Sequence, residues 1–401
     1  MHDAQHQPAP ERGTPAEVFL AFLRLGLTSF GGPVAHLGYF HQEFVVRRRW
    51  LTQRAYADLV ALCQFLPGPA SSQVGLAIGL SRAGYTGALA AWTGFTLPSA
   101  LILILFAYSL VGLTSLLGTG WLTGLKAAAV AVVALAVASM ARSLAPDRPR
   151  ATLAVAAAIL ALTFPSTWGQ LGAIVLGGLA GLALPADSNP EDDAVLPLSV
   201  PKSVAMTALI AFFALLILLP LAQAMLGSPG LTQFAAFYRA GSLVFGGGHV
   251  VLPLLQAEVV PTGWVTHDAF LAGYGAAQAV PGPLFTFEAY LGAVIGGWSM
   301  ALVCLVAIFL PSFLLILGAL PFWEALRRTS TVKAALKGVN AAVVGLLLAA
   351  LYDPVWTTGI TNSVNFALAL AAFLFLFMWQ WPPWLVVMLS AAAGLAFAQP
   401  S

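Results

Sequence analysis

The chain has 401 residues, of which 60% are hydrophobic and only 8% are charged. A water-soluble surface needs more charge than this, so the composition excludes a soluble protein and predicts one embedded in a lipid bilayer. The formal net charge of +2 identifies no charged macromolecular partner and gives no support for nucleic-acid binding.

The amino terminus, residues 1–15, is polar and lacks the apolar core of a secretory signal, which predicts that it stays in the cytoplasm. Thr14, Pro15 and Glu17 match a capping box that begins the first helix. Downstream, each charge-free run is long enough for one or two membrane helices of ~20 residues. These runs are 83–125, 151–186, 203–238 and 354–401. The short alternating strands of a barrel are not seen in the sequence.

Two segments of the chain repeat the same motifs in the same order. FLRLGLTSFGG at 22–32 aligns with FYRAGSLVFGG at 237–247, and QFLPGP at 64–69 aligns with QAVPGP at 278–283. Leu-Pro-Ser and Leu-Lys pairs match further on. This predicts a first repeat over 16–184 and a second over 203–401 that carries one extra leading helix. The acidic, proline-rich stretch 185–202 between them is predicted to be a solvated linker.

Basic residues follow the FGG motif in the first half only, as Arg47, Arg48, Arg49 and Arg54, and Arg82 follows the first PGP. Because such residues concentrate in cytoplasmic loops, the two halves are predicted to face opposite ways. If each FGG and PGP region is a hairpin that dips into the membrane and returns, one arrangement of helices fits. It places them near 86–110, 121–144, 151–164, 168–184, 203–226, 297–320, 331–351, 363–379 and 383–399. The predicted fold class is all-α and polytopic, with two inverted repeats, re-entrant or broken helices and roughly 10–12 membrane segments.

Pro-Gly-Pro cannot lie inside a continuous helix, because proline removes a backbone N–H and clashes with the preceding turn. In a membrane such a break is tolerated only where it is buried in protein or lines an aqueous cavity. Half-helices that end at mid-membrane present free N–H groups and a positive partial charge, which suits an anion. We call 30–33 and 245–249 the FGG turns, and 67–69 and 281–283 the PGP turns.

The predicted site combines these turns, and the alternative is that their glycines and prolines only pack helices. Its residues are Phe30, Gly31, Gly32, Pro33, Pro67, Gly68, Pro69, Phe245, Gly246, Gly247, Gly248, His249, Pro281, Gly282 and Pro283.

Four cations occupy matching positions in the two halves: Arg24 with Arg239, and Lys126 with Lys337. A charge at membrane depth costs at least ~2.5 kcal/mol unless it is paired, snorkels or meets water, so the four predict an anionic substrate. The arginine fork suits a tetrahedral oxyanion, and we expect the lysines to add positive potential. The alternative is that the arginines snorkel from hairpin ends and that Lys337 belongs to a basic loop.

The candidates for coupling to an ion gradient are Glu43, Glu258, Glu288 and His36. Glu43 and Glu258 match across the halves, and each either pairs with a nearby arginine or carries a proton. Glu288 has no acidic counterpart in the first half, and it is either a proton-coupling group or a counter-ion for Arg239. His36 is as readily a hydrogen-bonded core residue as a ligand.

The sequence predicts neither a metal site nor a cofactor. His36 and His41 do not share a helix face, so their spacing does not suit a metal. Cys63 and Cys304 lie in apolar segments and make no disulfide framework.

At these motifs the sequence resembles the chromate ion transporter family in its long, two-repeat form. The resemblance is carried by FGGPVAHLGYFHQEFVVRRRWL and LPGPASSQVGLAIG in the first half, and by FGGGHVVLPLL and GYGAAQAVPGPLFTFEAYLGA in the second. It implies an inner-membrane carrier that extrudes chromate from the bacterial cytoplasm and confers resistance, with sulfate as a competing analogue. The family's motifs map onto the FGG and PGP turns.

We therefore expect alternating access around a central oxyanion site between the repeats. The alternatives are a transporter or passive channel for another oxyanion such as sulfate, and a membrane-embedded enzyme. No nucleophile–base pair, nucleotide loop or redox cysteine motif in the sequence supports an enzyme. Assembly into a homodimer is left open.

Overall fold

A computed structural model of the protein describes residues 13–184, 200–245 and 248–397. Within these ranges all regular structure is helical and no strand occurs. Most of the predicted cytoplasmic amino terminus and of the predicted linker, together with Gly246 and Gly247, lies outside the described residues.

The first repeat contains seven α-helices, and an eighth connects it to the second. They are α1 (Pro15–Thr28), α2 (Gly32–Phe40), α3 (Gln53–Phe65), α4 (Ala70–Leu117), α5 (Gly120–Leu144), α6 (Arg148–Thr163), α7 (Thr167–Gly181) and α8 (Lys202–Leu226). A π-helical segment, His41–Arg47, prolongs α2.

The second repeat follows the same order, with two short additional helices, α13 and α15. Its helices are α9 (Pro229–Ser242), α10 (Val251–Val259), α11 (His267–Gln278), α12 (Phe287–Ala319), α13 (Trp323–Arg328), α14 (Ser330–Ala350), α15 (Thr357–Gly359), α16 (Ser363–Phe377) and α17 (Pro383–Ala396). Most predicted helices lie within a few residues of these bounds, but 86–110 is shorter than α4 at both ends and 297–320 omits the first ten residues of α12.

Side-chain caps explain where several helices begin. Thr14 accepts a hydrogen bond from the Glu17 backbone N–H at 3.2 Å, as the capping-box pattern predicts. Thr52 and Thr266 cap α3 and α11 in the same way, each at 3.2 Å from the third backbone nitrogen along. Equivalent threonines therefore start equivalent helices in the two repeats.

The two longest helices, α4 and α12, are helical hairpins. Gly84 has φ +66° and Gly297 has φ +73°, a backbone conformation that interrupts each helix. Across the first turn, Gly79 and Gly87 are in backbone contact, and across the second Gly292 contacts Met300. Each hairpin therefore has a short arm, 70–82 or 287–295, that runs antiparallel to a long arm, 85–117 or 298–319.

The repeats are inverted relative to each other. Trp92, early in the long arm of α4, contacts Phe313 in the second half of that of α12, with ring centroids 5.7 Å apart. Tyr108, late in the same arm of α4, stacks on the early Trp298 at 6.0 Å. Equivalent helices therefore run in opposite directions, which confirms the predicted inverted repeats.

Helices of each repeat also pack against helices of the other repeat. Helix α5 packs against α16 and α17 of the second repeat, and α14 packs against α6 and α7 of the first. Small residues allow these close contacts: Gly124 touches the Ser390 backbone, and Gly181 touches the Ala334 backbone. The two repeats therefore form one interdigitated bundle.

Five helical segments of the described residues are long and apolar enough to cross a bilayer. These are Ala70–Leu110, Gly120–Leu144, Lys202–Leu226, Leu284–Phe322 and Ser330–Gly359. Only 17% of the apolar 18-residue stretch of α8 is buried inside the protein. This helix therefore presents most of its surface to lipid. The chain is a multi-pass membrane protein.

Candidate functional site

In the first repeat, the stretch that runs through the FGG turn and the stretch that runs through the PGP turn each return to the surface at which they begin. Glu17, near the start of α1, lies 3.7 Å from Arg48, which follows the α2 segment, and 3.2 Å from Arg82 at the end of the short arm of α4. Both guanidinium groups also lie over the Trp50 ring, 5.2 and 5.1 Å from its centroid. Three helix ends thus meet at one surface, and the first FGG and PGP turns lie at the opposite ends of the same segments.

The turns of one repeat bind the turns of the other. The Gly68 backbone N–H donates to the Val244 carbonyl at 2.7 Å, and the Gly282 N–H donates to the Ser29 carbonyl at 2.9 Å. These two hydrogen bonds are equivalent, because each joins the glycine of a PGP turn to the residue before the FGG turn of the other repeat. The predicted turns of the two repeats therefore meet at a single crossing point.

The glycines at this crossing point are required by the backbone. Gly68 has φ +123° and Gly282 has φ +99°, values that other residues rarely adopt. In the FGG turns, Gly31 has φ +101° and Gly32 has φ +78°. A Cβ on Gly248 would lie 3.1 Å from the Pro33 ring, so the two FGG turns also touch each other.

The prolines of the PGP turns begin the helices that follow. The Pro67 carbonyl accepts a hydrogen bond from Gln73 Nε2 at 2.7 Å, and Pro69 directly precedes α4. The Pro283 carbonyl accepts one from the Thr286 hydroxyl at 2.8 Å, and Pro281 belongs to the same turn. Each PGP turn thus starts a helix at depth within the protein.

Phe30 reaches across to the second repeat, where its ring lies 5.8 Å from that of Trp384. Phe245 packs at the edge of the main hydrophobic core. Phe30 therefore joins the first FGG turn to α17, in addition to the backbone contacts above.

Two serines missed in the sequence analysis complete the crossing point. A Cβ on Gly68 would lie 2.7 Å from Ser312 Oγ, and one on Gly282 would lie 2.8 Å from Ser99 Oγ. Both serines come from the matching Leu-Pro-Ser motifs, so each PGP turn packs on the Leu-Pro-Ser motif of the other repeat. Their repetition in the sequence was the signal that could have identified them.

Several buried polar atoms in and near these turns have no hydrogen-bond partner among the described residues. They are Ser29 Oγ, His36 Nε2, Ser72 Oγ, Gln73 Oε1, Thr96 Oγ1, Gln278 Nε2 and Ser312 Oγ. Buried polar atoms in proteins normally have a hydrogen-bond partner, which is water or a ligand where no protein group is available. The crossing point is therefore a polar region inside an apolar protein.

The two candidate histidines have different surroundings. His36 is 1% exposed, and its Nδ1 lies 3.4 Å from Ser71 Oγ. His249 Nδ1 lies 2.7 Å from the Tyr274 hydroxyl. Among the residues that the structure describes, no group of three His, Cys, Asp or Glu side chains could hold a metal ion.

The two matched arginines differ in their environment. Arg239 forms a two-point ion pair with Glu258, at 2.8 and 2.6 Å. Arg24 is exposed on a face of α1 that also carries Leu20 and Leu27, and it forms no ion pair with any described residue. The structure does not join the two guanidinium groups into one site.

The matched lysines lie away from the turns. Lys126 forms an ion pair with Asp268 at 2.9 Å, which connects α5 to the start of α11. Hydrogen bonds with Arg150 lower the pKa of Asp147 below its ordinary value, and nearby Lys337 adds to this effect. Both lysines therefore lie near carboxylates outside the crossing point.

The three candidate carboxylates also differ. Glu43 binds Arg48 at 2.6 Å and Arg47 at 3.0 Å. Burial raises the pKa of Glu43, but hydrogen bonds from these arginines outweigh it, so that the pKa lies below its ordinary value. Glu288, in the first turn of α12, is fully buried, and both its oxygens lack a hydrogen-bond partner among the described residues.

Comparisons with known proteins agree with this architecture. A family model described as chromate transporter matches residues 16–182 and 231–395, one match in each repeat. A chromate transport protein of Pseudomonas aeruginosa is 31% identical over 357 residues, which cover 88% of this chain and 83% of that protein. A probable chromate transport protein of Synechococcus elongatus is 27% identical over 401 residues, 94% of each chain.

A third relative, a chromate transport protein of Cupriavidus metallidurans, is 28% identical over 346 residues, 84% of this chain and 82% of that protein. No solved structure matches the chain.

Proposed function

The chain belongs to the chromate transporter family, and we propose that it exports chromate across the bacterial inner membrane by alternating access, thereby conferring chromate resistance. The observation that carries this proposal is the crossing point, where Gly68 binds Val244 and Gly282 binds Ser29. It places two broken helices and a set of unpartnered polar atoms at the centre of an apolar protein.

The chemistry of the crossing point suits a tetrahedral dianion. Helices that start at the PGP turns direct free N–H groups and a positive partial charge toward it. Hydroxyl groups of Ser29 and Ser312 add donors that no described residue uses. An anion that leaves water needs such donors to replace its hydration shell.

Alternating access is supported by the inverted repeats and by the way in which their turns interlock. In transporters of this plan, two repeats of opposite orientation exchange conformations around a fixed site near the middle of the membrane. The cluster of Glu17, Arg48, Arg82 and Trp50 joins three helix ends on one side. We assign that side to the cytoplasm, because basic residues concentrate there.

Uptake of labelled chromate and sulfate by inverted membrane vesicles tests the proposal, with a proton gradient and a membrane potential imposed separately. We expect saturable uptake that accumulates chromate against its gradient and that sulfate inhibits. Flux that neither saturates nor accumulates would identify a passive channel. Preferential accumulation of sulfate would make chromate the analogue, and chemical conversion of chromate would identify an enzyme.

For the coupling ion we propose a proton carried by Glu288. Glu43 and Glu258 already form ion pairs with arginines, whereas Glu288 is buried without a partner among the described residues, where a neutral carboxyl is favoured. Glu288→Gln keeps the shape but cannot ionise. We expect this variant to exchange chromate across vesicles without a gradient and to lose accumulation driven by the proton gradient. Unchanged proton-driven accumulation would exclude Glu288 as the carrier.

A further inference from the structure

The two helices that start at the PGP turns differ in chemistry. In the first repeat, Pro69 is followed by Ala70 and then by Ser71, Ser72 and Gln73. In the second, Pro283 is followed by Leu284 and then by Phe285, Thr286 and Phe287. Similar backbone breaks thus lead into a polar turn in one repeat and a mainly apolar turn in the other.

The start of α4 has unused hydrogen-bond donors. Pro69 provides no side-chain cap, and the Gln73 N–H makes the first intrahelical bond, to the Pro69 carbonyl at 3.0 Å. The three preceding N–H groups are therefore left free by helix geometry. Ser71 and Ser72 are 2% and 4% exposed, and Ser72 Oγ has no partner among the described residues.

His36 lies against this turn from α2. Its Nδ1 is 3.4 Å from Ser71 Oγ, and its ring meets the Phe95 ring edge-on at 5.2 Å. The other nitrogen, Nε2, is buried and has no partner among the described residues. Two buried polar atoms, Ser72 Oγ and His36 Nε2, thus have no hydrogen-bond partner among the described residues of this region.

At the corresponding end of α12, residues 284–286 leave no side-chain donor free, and the unpartnered oxygens of that first turn are those of the Glu288 carboxyl. The Thr286 hydroxyl donates to the Pro283 carbonyl at 2.8 Å, and Leu284 and Phe285 are buried. The Phe285 ring packs on that of Phe309 at 5.9 Å. None of the three described residues 284–286 has a buried polar side-chain atom without a partner.

We propose that the transported dianion binds at the start of α4, to the hydroxyls of Ser71 and Ser72, the free N–H groups of that turn and the imidazole of His36. We call this set the α4 anion site. It rests on the proposed function and deepens it, because it gives the transporter a single site in the first repeat, built from neutral donors. Charge-assisted hydrogen bonds from such donors bind an oxyanion strongly.

Neutral donors also suit transport better than fixed cations. A transported ion must bind well enough to enter and weakly enough to leave. A guanidinium or ammonium group in a medium of low dielectric constant would hold a dianion far more tightly than dipoles do. The positions of Arg24, which is exposed, and of Arg239, which is bound to Glu258, are consistent with this division.

The test is equilibrium binding of sodium chromate and sodium sulfate to the purified full-length protein, with vesicle transport measured in parallel. Ser71→Ala combined with Ser72→Ala, and His36→Leu separately, should each raise the dissociation constant by roughly 10- to 100-fold. Thr286→Ala is the matched control in the second repeat and should change it by less than about threefold. If the double variant does not fold, Ser72→Ala and the hydroxyl-retaining Ser72→Thr replace it, and only Ser72→Ala should weaken binding.

The outcomes separate the two proposals. Wild-type protein that transports chromate while the serine variants bind it with unchanged affinity would overturn the α4 anion site alone. A tenfold loss of affinity in Arg24→Gln, with the serine variants unaffected, would overturn it in favour of a cationic site. Wild-type protein that moves neither dianion would overturn the proposed function, and the α4 anion site with it.

Discussion

The two repeats place an arginine and a glutamate at the same positions and use them differently. In the second repeat Arg239 and Glu258 bind each other, with side chains 22% and 9% exposed. In the first, Glu43 binds Arg47 and Arg48 instead, and Arg24 is exposed. Basic residues that follow Glu43 in the first repeat have no counterpart after Glu258, and they provide the alternative partners.

The hairpin turns and PGP turns of the backbone, in contrast, are alike in both repeats. Gly84 and Gly297 interrupt their helices with φ values of +66° and +73°, and Gly68 and Gly282 make equivalent hydrogen bonds across the crossing point. The fold thus needs both copies of the backbone pattern. The side chains around it are free to diverge, so that one repeat provides the polar turn and the other an apolar one.

The largest expected effect on transport is that of Gly68→Ala and Gly282→Ala, which test the PGP turns that the two repeats share. Each methyl group would be placed at a positive φ and within 3 Å of a serine Oγ, that of Ser312 or Ser99. Together, strain and collision should cost at least ~2 kcal/mol and displace the turns. We expect both variants to lose more than about 90% of chromate transport.

Gly112→Ala is the control for this pair, because Gly112 lies inside α4 with no atom near its Cβ position. It should leave transport unchanged and should not lower thermal stability in detergent, because alanine favours a helix more than glycine does. If Gly282→Ala transported chromate normally while Gly68→Ala did not, the crossing point would be functionally one-sided, contrary to its backbone symmetry.

The second prediction separates the matched arginines. Arg239→Gln leaves the carboxylate of Glu258 largely buried and without its ion-pair partner. We expect a loss of about 2–3 kcal/mol in the free energy of unfolding, less than the roughly 3–5 kcal/mol for a fully buried pair. Arg24→Gln on the exposed face of α1 should change it by less than about 0.5 kcal/mol. Thermal unfolding in detergent measures both.

Combining Arg239→Gln with Glu258→Gln removes both charges and should recover most of the stability lost in the single variant. Equal destabilisation by Arg24→Gln and Arg239→Gln would show that the matched arginines have equivalent surroundings, in contradiction to the structure.

Much of this fold could be predicted from the sequence, because its strongest signals are backbone signals. The paired prolines and glycines identified both sets of turns, and hydrophobic length identified the helices. The short arms of α4 and α12 were missing from the predicted helices, because nothing in an apolar run marks Gly84 or Gly297 as a hairpin turn rather than a packing glycine.

The site was less predictable, because the prediction gave most weight to charge. Arg24 and Arg239 match in sequence. The match does not show that Glu43 pairs with Arg47 and Arg48 instead of Arg24. Ser71 and Ser72 directly follow the first PGP turn and carry no charge, so they were passed over. Their burial, and the missing partner of Ser72 Oγ, became evident only once the helices were packed.

The smallest expected effect concerns Glu43, whose pKa is lowered because hydrogen bonds from Arg48 and Arg47 outweigh the effect of burial. Glu43→Gln should lower the free energy of unfolding by about 0.5–1 kcal/mol at pH 7, since Arg47 is 56% and Arg48 29% exposed. A carboxylate whose pKa is lowered in the folded state stabilises that state above its ordinary pKa of about 4.5 and loses this contribution as the pH falls further. Thermal unfolding between pH 7 and pH 3.5 should therefore show the wild type and Glu43→Gln converging only below about pH 4.5. A constant difference across this range would mean that the charge of Glu43 does not stabilise the hairpin and that its pairing with Arg47 and Arg48 differs in solution.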